Sequence, residues 1–285
     1  MKHFIFLLIA VAALSSCDGG SGLRERKQNM RDTARDKVVG HAVQNEFYSL
    51  PSPLEVAYVV QSTGVEYNER FLHQTELGVR YSTNMAAAIN LGIYGADLSY
   101  SIYFNQQQVA LKYLDCIKEL SSSLDISDIL TQNKLKEMED NIQNKEALKK
   151  IVTKTFLHSD ALLKENSRRG TAVMISFGMW IESLYISAQL STGNPEHNPA
   201  LAKCIVEQGL VFEDLWGMLN SLDETHDIST IKKELEVLSQ SYGAIKNSKG
   251  GVYVSRDEEF SVDSALFAKL CDDVQLVRTN FTQLF

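Results

Sequence analysis

Met85 to Phe104, MAAAINLGIYGADLSYSIYF, is a helix-length apolar run that holds two glycines, Gly92 and Gly95, and a single acid, Asp97. Apolar residues on every side mark a helix buried all round. Glycine inside a helix costs about 1 kcal/mol relative to alanine, so packing must offset it. Ala88, Gly92, Ala96 and Ser99 form a stripe of small side chains at helical spacing. Such a stripe lets a neighbouring helix approach nearer than the roughly 8–10 Å usual for larger residues. The run has an echo in Thr171 to Leu190, TAVMISFGMWIESLYISAQL, where laying Gly92 on Gly178 places Ile89 on Ile175, Tyr94 on Trp180 and Leu98 on Leu184. The two runs read as central helices of two related halves.

Helical spacing of apolar residues continues through Gln107–Leu124, Glu146–Glu165, Leu201–Leu222, Ile228–Tyr242 and Phe260–Leu284. Pro53 suits a helix first turn, Asn198-Pro199 is a cap followed by a first-turn proline, and Gly64 ends a short helix. Asn68 is expected to cap a helix containing Phe71, Leu72, Leu77 and Val79, and Ser127 or Asp125 one containing Ile129, Leu130, Leu135 and Met138. Val252 to Val254 reads as a short extended piece. Matches recur in order: Phe71-Leu72-His73 with Phe156-Leu157-His158, Ser123-Leu124-Asp125 with Ser221-Leu222-Asp223, and Asp125-Ile126-Ser127 with Asp227-Ile228-Ser229. The expected fold is therefore an all-α multi-helix bundle with two tandem four-helix units, about 67–143 and 145–245, related by internal duplication. A C-terminal helix, 259–284, caps them, and residues 51–285 form a single domain.

Residues 1–16 have the layout of a secretory signal: Lys2 precedes the apolar core Phe4–Ala13, and small residues follow. The core is too short to span a bilayer, which takes about 20 residues as a helix. Leu14-Ser15-Ser16-Cys17 resembles the lipobox of bacterial lipoproteins, a resemblance that implies Cys17 as the lipidated first residue of the mature chain. Lipid chains there would anchor the protein to a membrane. Residues 17–50 read as a basic tether: positions 18–37 carry six bases against four acids, while the whole chain nets −8. An acidic body argues against nucleic acid as a partner. The stretch Gly92–Tyr100, with Ala110–Leu114 and Glu119–Ile126, is similar to uncharacterised all-helical lipoproteins of Bacteroidota. That likeness implies an outer-membrane location, facing the periplasm or the cell surface, and no particular activity.

Chemistry is sparse. Three cysteines remain beyond Cys17, too few to pair completely; Cys116, Cys204 and Cys271 each sit in apolar helical context and read as buried free thiols. Glu69 and His73 lack the Glu-x-x-His spacing of a di-metal bundle, and His158 has no glutamate three or four before it. No metal or cofactor is expected. No nucleophile elbow, P-loop or dinucleotide fingerprint appears, so the chain reads as no enzyme. Asp97, an acid in an apolar helix, must find a donor, stay protonated or face a cavity, and Glu182 lies beside its counterpart in the echo. The expected function is a membrane-anchored binding or assembly module of the bacterial envelope with a protein partner. The alternative is a small-ligand receptor with a pocket between the halves, lined by Asp97, Tyr94, Tyr100, Glu182 and Trp180.

Overall fold

The two apolar runs become the two central helices. The computed structural model describes residues 53–127, 130–165, 167–248 and 260–283, all within one compact unit, Leu50–Phe285. The leader, Cys17, the 17–50 tether and Val252–Val254 lie outside the described residues. Those described form nine α-helices and two 3-10 segments, with no strand among them. The helices are α1 (Pro53–Ser62), α2 (Asn84–Tyr103), α3 (Gln107–Ser123), α4 (Gln132–Asp140), α5 (Lys145–Glu165), α6 (Arg169–Ser191), α7 (Pro199–Asn220), α8 (His226–Asn247) and α9 (Ser264–Thr282). The fold is an all-α multi-helix bundle.

The most extensive contact is α2 on α6, and every other helix is arranged around that pair: α3, α1, α5 and α9 on α2, and α7, α9, α5 and α1 on α6. Helix α4 packs on α5 and α3, and α8 on α9 and α7. Helix α6 is long and apolar enough to cross a membrane, yet 83% of its most apolar window is buried inside the protein. It is the core helix of this bundle.

The crossing of α2 and α6 is reciprocal. A Cβ on Gly92 would lie 2.0 Å from the Ile175 carbonyl oxygen, and a Cβ on Gly178 would lie 1.9 Å from that of Ile89. Each glycine thus receives the carbonyl of the residue three before the other, which is the alignment read from the echo. Backbone meets backbone, and no side chain fits between. The small-residue stripe Ala88, Gly92, Ala96 and Ser99 is buried along its length.

Local sequence sets most helix ends. Thr83 accepts from the Ala86 amide, Asn198 from that of Leu201 ahead of first-turn Pro199, and Asp263 from those of Ala265 and Leu266. Two expectations fail. Helix α4 is capped by Thr131, whose side chain accepts from Lys134; Asp125 instead adopts a left-handed turn, φ 56°, that ends α3. Residues 69–81 form 3-10 segments, Glu69–Phe71 and Thr75–Arg80, although Asn68 does cap the first. Backbone groups between them bond to side chains of other helices, so they are withheld from an α-helical ladder.

The internal duplication is not carried through. Phe71-Leu72-His73 ends a 3-10 segment with His73 buried, whereas Phe156-Leu157-His158 lies within α5 with His158 exposed. Nor is α9 only a cap: Phe267 and Phe281 are fully buried, and Ser241 of α8 donates to Asp273 of α9, which Lys269 also engages at 2.6 Å.

Gly92→Ala and Gly178→Ala are each expected to destabilise the protein by roughly 2 kcal/mol or more, because overpacking against backbone outweighs the ~1 kcal/mol gained in helix propensity. Gly95→Ala provides the control, since its Cβ would meet only the flexible end of Met179, at 3.6 Å. That variant should be neutral or slightly stabilised. Urea denaturation of the three variants checks the order; an unchanged midpoint for Gly92→Ala would refute the close crossing.

Candidate functional site

Asp97 stands five residues beyond Gly92 on α2, and Glu182 four beyond Gly178 on α6, so the crossing brings two acids into one place. Both are fully buried. Arg278, reaching in from α9, donates to Glu182 through Nε at 2.8 Å and Nη2 at 2.9 Å. Such a forked pair is among the strongest polar contacts available to a carboxylate. The guanidinium also lies over the Tyr185 ring, 4.6 Å from its centroid. Burial works against the charge on Arg278, but the attraction of Glu182 outweighs it and the group stays firmly protonated.

Asp97 differs. Its Oδ2 accepts from the His73 backbone amide at 3.1 Å, while Oδ1 accepts from no donor. Burial, reinforced by the charge on Glu182, holds its carboxyl well above the usual range; Arg278 and the His73 amide pull the other way without prevailing. A proton on Asp97 directed towards Glu182 makes the trio neutral overall, one cation and one anion. With both acids ionised, a sealed site would hold a net negative charge at a cost of several kcal/mol.

His73 sits on the turn preceding α2, with 4% of its surface exposed. Its Nε2 lies 2.6 Å from Tyr81 Oη, and Tyr81 donates to the Thr282 carbonyl at 3.1 Å. With the tyrosine proton so used, Nε2 carries the imidazole proton and donates. Burial, and then the charge on Arg278, lower the His73 pKa to about 3, so the ring is neutral at physiological pH. Tyr113 donates to the His73 carbonyl at 3.0 Å, Tyr94 to that of Gln74 at 2.9 Å, and Cys116 to that of Thr75 at 3.6 Å. These donors from α2 and α3 hold residues 73–75 in their non-helical course. The thiol of Cys116 is pushed up to about 12 by burial, and those of Cys204 and Cys271 to about 11. All three are free thiols of low reactivity.

Of the five residues named for a pocket, Asp97, Glu182 and Tyr94 belong to this buried network. Tyr100 lies at its edge, accepting from the Asn68 amide at 3.1 Å. Trp180 lies elsewhere, packed on Phe177 and Phe212. A cavity of about 90 Å³ lies between α2, α3, α4, α5 and α6, and none of the five lines it. Its walls are mostly apolar, among them Leu91, Leu98, Leu114, Leu135 and Ile175, and Gly95 of the central helix contributes to them. The described residues contain no group of three metal-ligating side chains. No family model, curated protein or solved structure matches the chain.

Arg278 was missed from the sequence, although it stands four residues after Val274 and three before Phe281, on the apolar stripe of α9. A base at that position is the signal that a buried acid awaits it.

Asp97→Asn keeps the acceptor for His73 and supplies a permanent donor to Glu182. It should therefore cost less than about 1 kcal/mol at pH 7, whereas Glu182→Gln, which leaves Arg278 buried and unpaired, should cost about 3–5 kcal/mol. Equal losses would mean that Asp97 is ionised. The pH dependence has two opposing parts. Asp97 binds its proton more tightly when folded, so its stabilisation is complete below the unfolded carboxylate range and is lost as pH rises through the raised folded value. His73 binds its proton less tightly when folded, so its contribution is present above about pH 6.5 and is lost as pH falls towards about 3. Each is read as a difference from wild type. Relative to His73→Gln, the wild type should lose roughly 1.4 kcal/mol per pH unit across that acid window, measured by denaturation at pH 6.5, 5 and 4. Parallel curves would exclude a buried neutral His73.

Proposed function

We propose that the protein is a non-catalytic binding module of a bacterial envelope, tethered to the outer membrane through lipid on Cys17. The cavity walled by five helices is the observation that favours a ligand. Large exposed apolar residues among those described, by contrast, are spread over different elements: Tyr58 and Val59 on α1, Val79 in the second 3-10 segment, Leu157 on α5, Leu210 on α7 and Leu276 on α9. A protein-assembly surface calls for a contiguous apolar patch of several hundred Å², so reception of a small ligand is the better reading of the two. The buried acids support a non-catalytic role. Asp97 and Glu182 are sealed and engaged with His73 and Arg278, and neither can reach a substrate.

The tether rests on Leu14-Ser15-Ser16-Cys17 and is tested by cell fractionation. Wild type should sediment with membranes carrying an acylated Cys17 at its N-terminus, and Cys17→Ser should leave the membrane fraction. Membrane-bound wild type that retains residues 1–16, seen by mass spectrometry, would refute the tether.

A further inference from the structure

Helix α1 carries Val56-Ala57-Tyr58-Val59-Val60 in its middle, an apolar run without a break. Ala57 and Val60 are buried, whereas Tyr58 is 57% exposed and Val59 39%. The helix therefore keeps apolar side chains on the side that faces away from the bundle. Next to Tyr58 lies Tyr103 from the end of α2, with ring centroids 6.0 Å apart. Two lysines from the start of α5 cover that second ring: Lys145 Nζ lies 5.5 Å from its centroid and Lys149 Nζ 4.3 Å. Lys150, the next residue, is exposed. Glu146 stands among the three lysines, pairing with Lys149 at 2.9 Å and drawn on by Lys145 and Lys150 as well. The lysines outnumber it, which makes a basic spot on a chain that nets −8.

We propose that this face, Tyr58 and Val59 of α1 with the lysines at the start of α5, rests on an anionic phospholipid bilayer, the tyrosine and valine entering the headgroup layer and the lysines meeting phosphate. The proposal relies on the envelope reading, in which lipid on Cys17 brings the protein to a membrane, and adds which way the folded unit then faces. Three features favour a bilayer. Helix α1 is the first described helix after the basic 17–50 tether, so the end of the bundle that carries this face is the end nearest the anchor in sequence. Tyrosine beside lysine is the pairing suited to a membrane interface, where the ring sits at headgroup level and the lysine stem lies along apolar surface with its ammonium in the polar layer. The charge is complementary to anionic headgroups, in a chain otherwise dominated by acids. Two exposed apolar side chains are too small a patch to hold a protein partner, but they add to an electrostatic attraction at a lipid surface.

The test uses residues 17–285 with Cys17→Ser, so that neither the apolar leader nor a lipid of its own anchors the chain; every described residue lies in the unit Leu50–Phe285, which this leaves whole. Partition is measured by co-sedimentation with vesicles of phosphatidylcholine alone and of phosphatidylcholine containing about one third phosphatidylglycerol. The parent should bind the anionic vesicles and ignore the neutral ones. Lys150→Gln should weaken that binding roughly fivefold, the effect of one charge near an anionic surface. Tyr58→Ala should weaken it roughly three- to tenfold through lost apolar area. Both residues are exposed, so neither change disturbs the core, and both variants keep the basic tether, whose own attraction to the vesicles cancels in the comparison. Lys233→Gln is the control: it removes the same charge from an exposed position on α8, which packs on α9 and α7, and should leave partition unchanged. Failure of the parent to bind anionic vesicles would leave the face to an acidic protein and overturn the proposal. So would unchanged binding in Lys150→Gln and Tyr58→Ala, or a loss in Lys233→Gln equal to that in Lys150→Gln. None of these results bears on acylation of Cys17, which fractionation tests separately.

Discussion

Helices α2 and α6 touch through their backbones at Gly92 and Gly178, and most of the structure follows from that contact. A carbonyl oxygen sits about 2 Å from where each missing Cβ would be, so sliding either helix by one residue would drive a side chain into a carbonyl. Register is thereby set by exclusion, more sharply than interdigitating leucines would set it, because backbone cannot change rotamer. The helices crowd Met85–Ile102 and Ala172–Ser191 into the interior almost without break, which explains why both runs are apolar all round. Nothing near the crossing can be large on the facing sides.

Fixed register has an electrostatic consequence. Asp97 and Glu182 lie about one turn beyond their glycines, so the same contact that aligns the backbones holds two carboxyls together away from water. Two anions cannot be kept there, and the fold answers in two ways. Arg278 neutralises Glu182, and Asp97 keeps its proton. Helix α9 is thus bound to the core by charge as well as by Phe267 and Phe281, and Asn90 adds a bond from α2 to the Phe281 carbonyl at 3.2 Å. The turn at 73–75 is recruited in the same way, since the Asp97 carboxyl takes the His73 amide and tyrosines from α2 and α3 take the carbonyls.

The central helices and the Gly92–Gly178 alignment were legible because packing at this closeness leaves a compositional trace, small residues repeating at helical spacing. Helix starts at Thr83, Asn198 and Asp263 follow from local chemistry; Asn198 was read in advance. The segment 69–81 was misread as α-helix because the groups that prevent it, Asp97, Tyr94 and Tyr113, belong to other elements and enter only through tertiary structure. The partners of the two buried acids were illegible for a related reason. Sequence shows that an acid is buried, but not that Asp97 takes the backbone amide of His73, nor that the arginine of the last helix pairs with the other acid, Glu182. The cavity left no trace at all, since empty space arises from how five helices fit together and not from any one residue.

Polar and apolar features of the interior are divided between different faces of α2. Tyr94 and Asp97 face the network, while Leu91, Gly95, Leu98 and Ser99 face the cavity. The network is densely bonded, although Asp97 Oδ1 and Asn90 Oδ1 accept from no donor, and it resists reorganisation because any displaced group becomes a further buried orphan. The cavity wall is held mainly by dispersion and area removed from water, which tolerate rearrangement of side chains. The central helix is thus rigid on one face and adaptable on the other. Gly95 belongs to the adaptable side, where only the flexible Met179 thioether stands against it, and Gly92, three residues earlier, belongs to the rigid one. The two glycines of a single helix therefore have opposite roles, one excluding every side chain and the other leaving room.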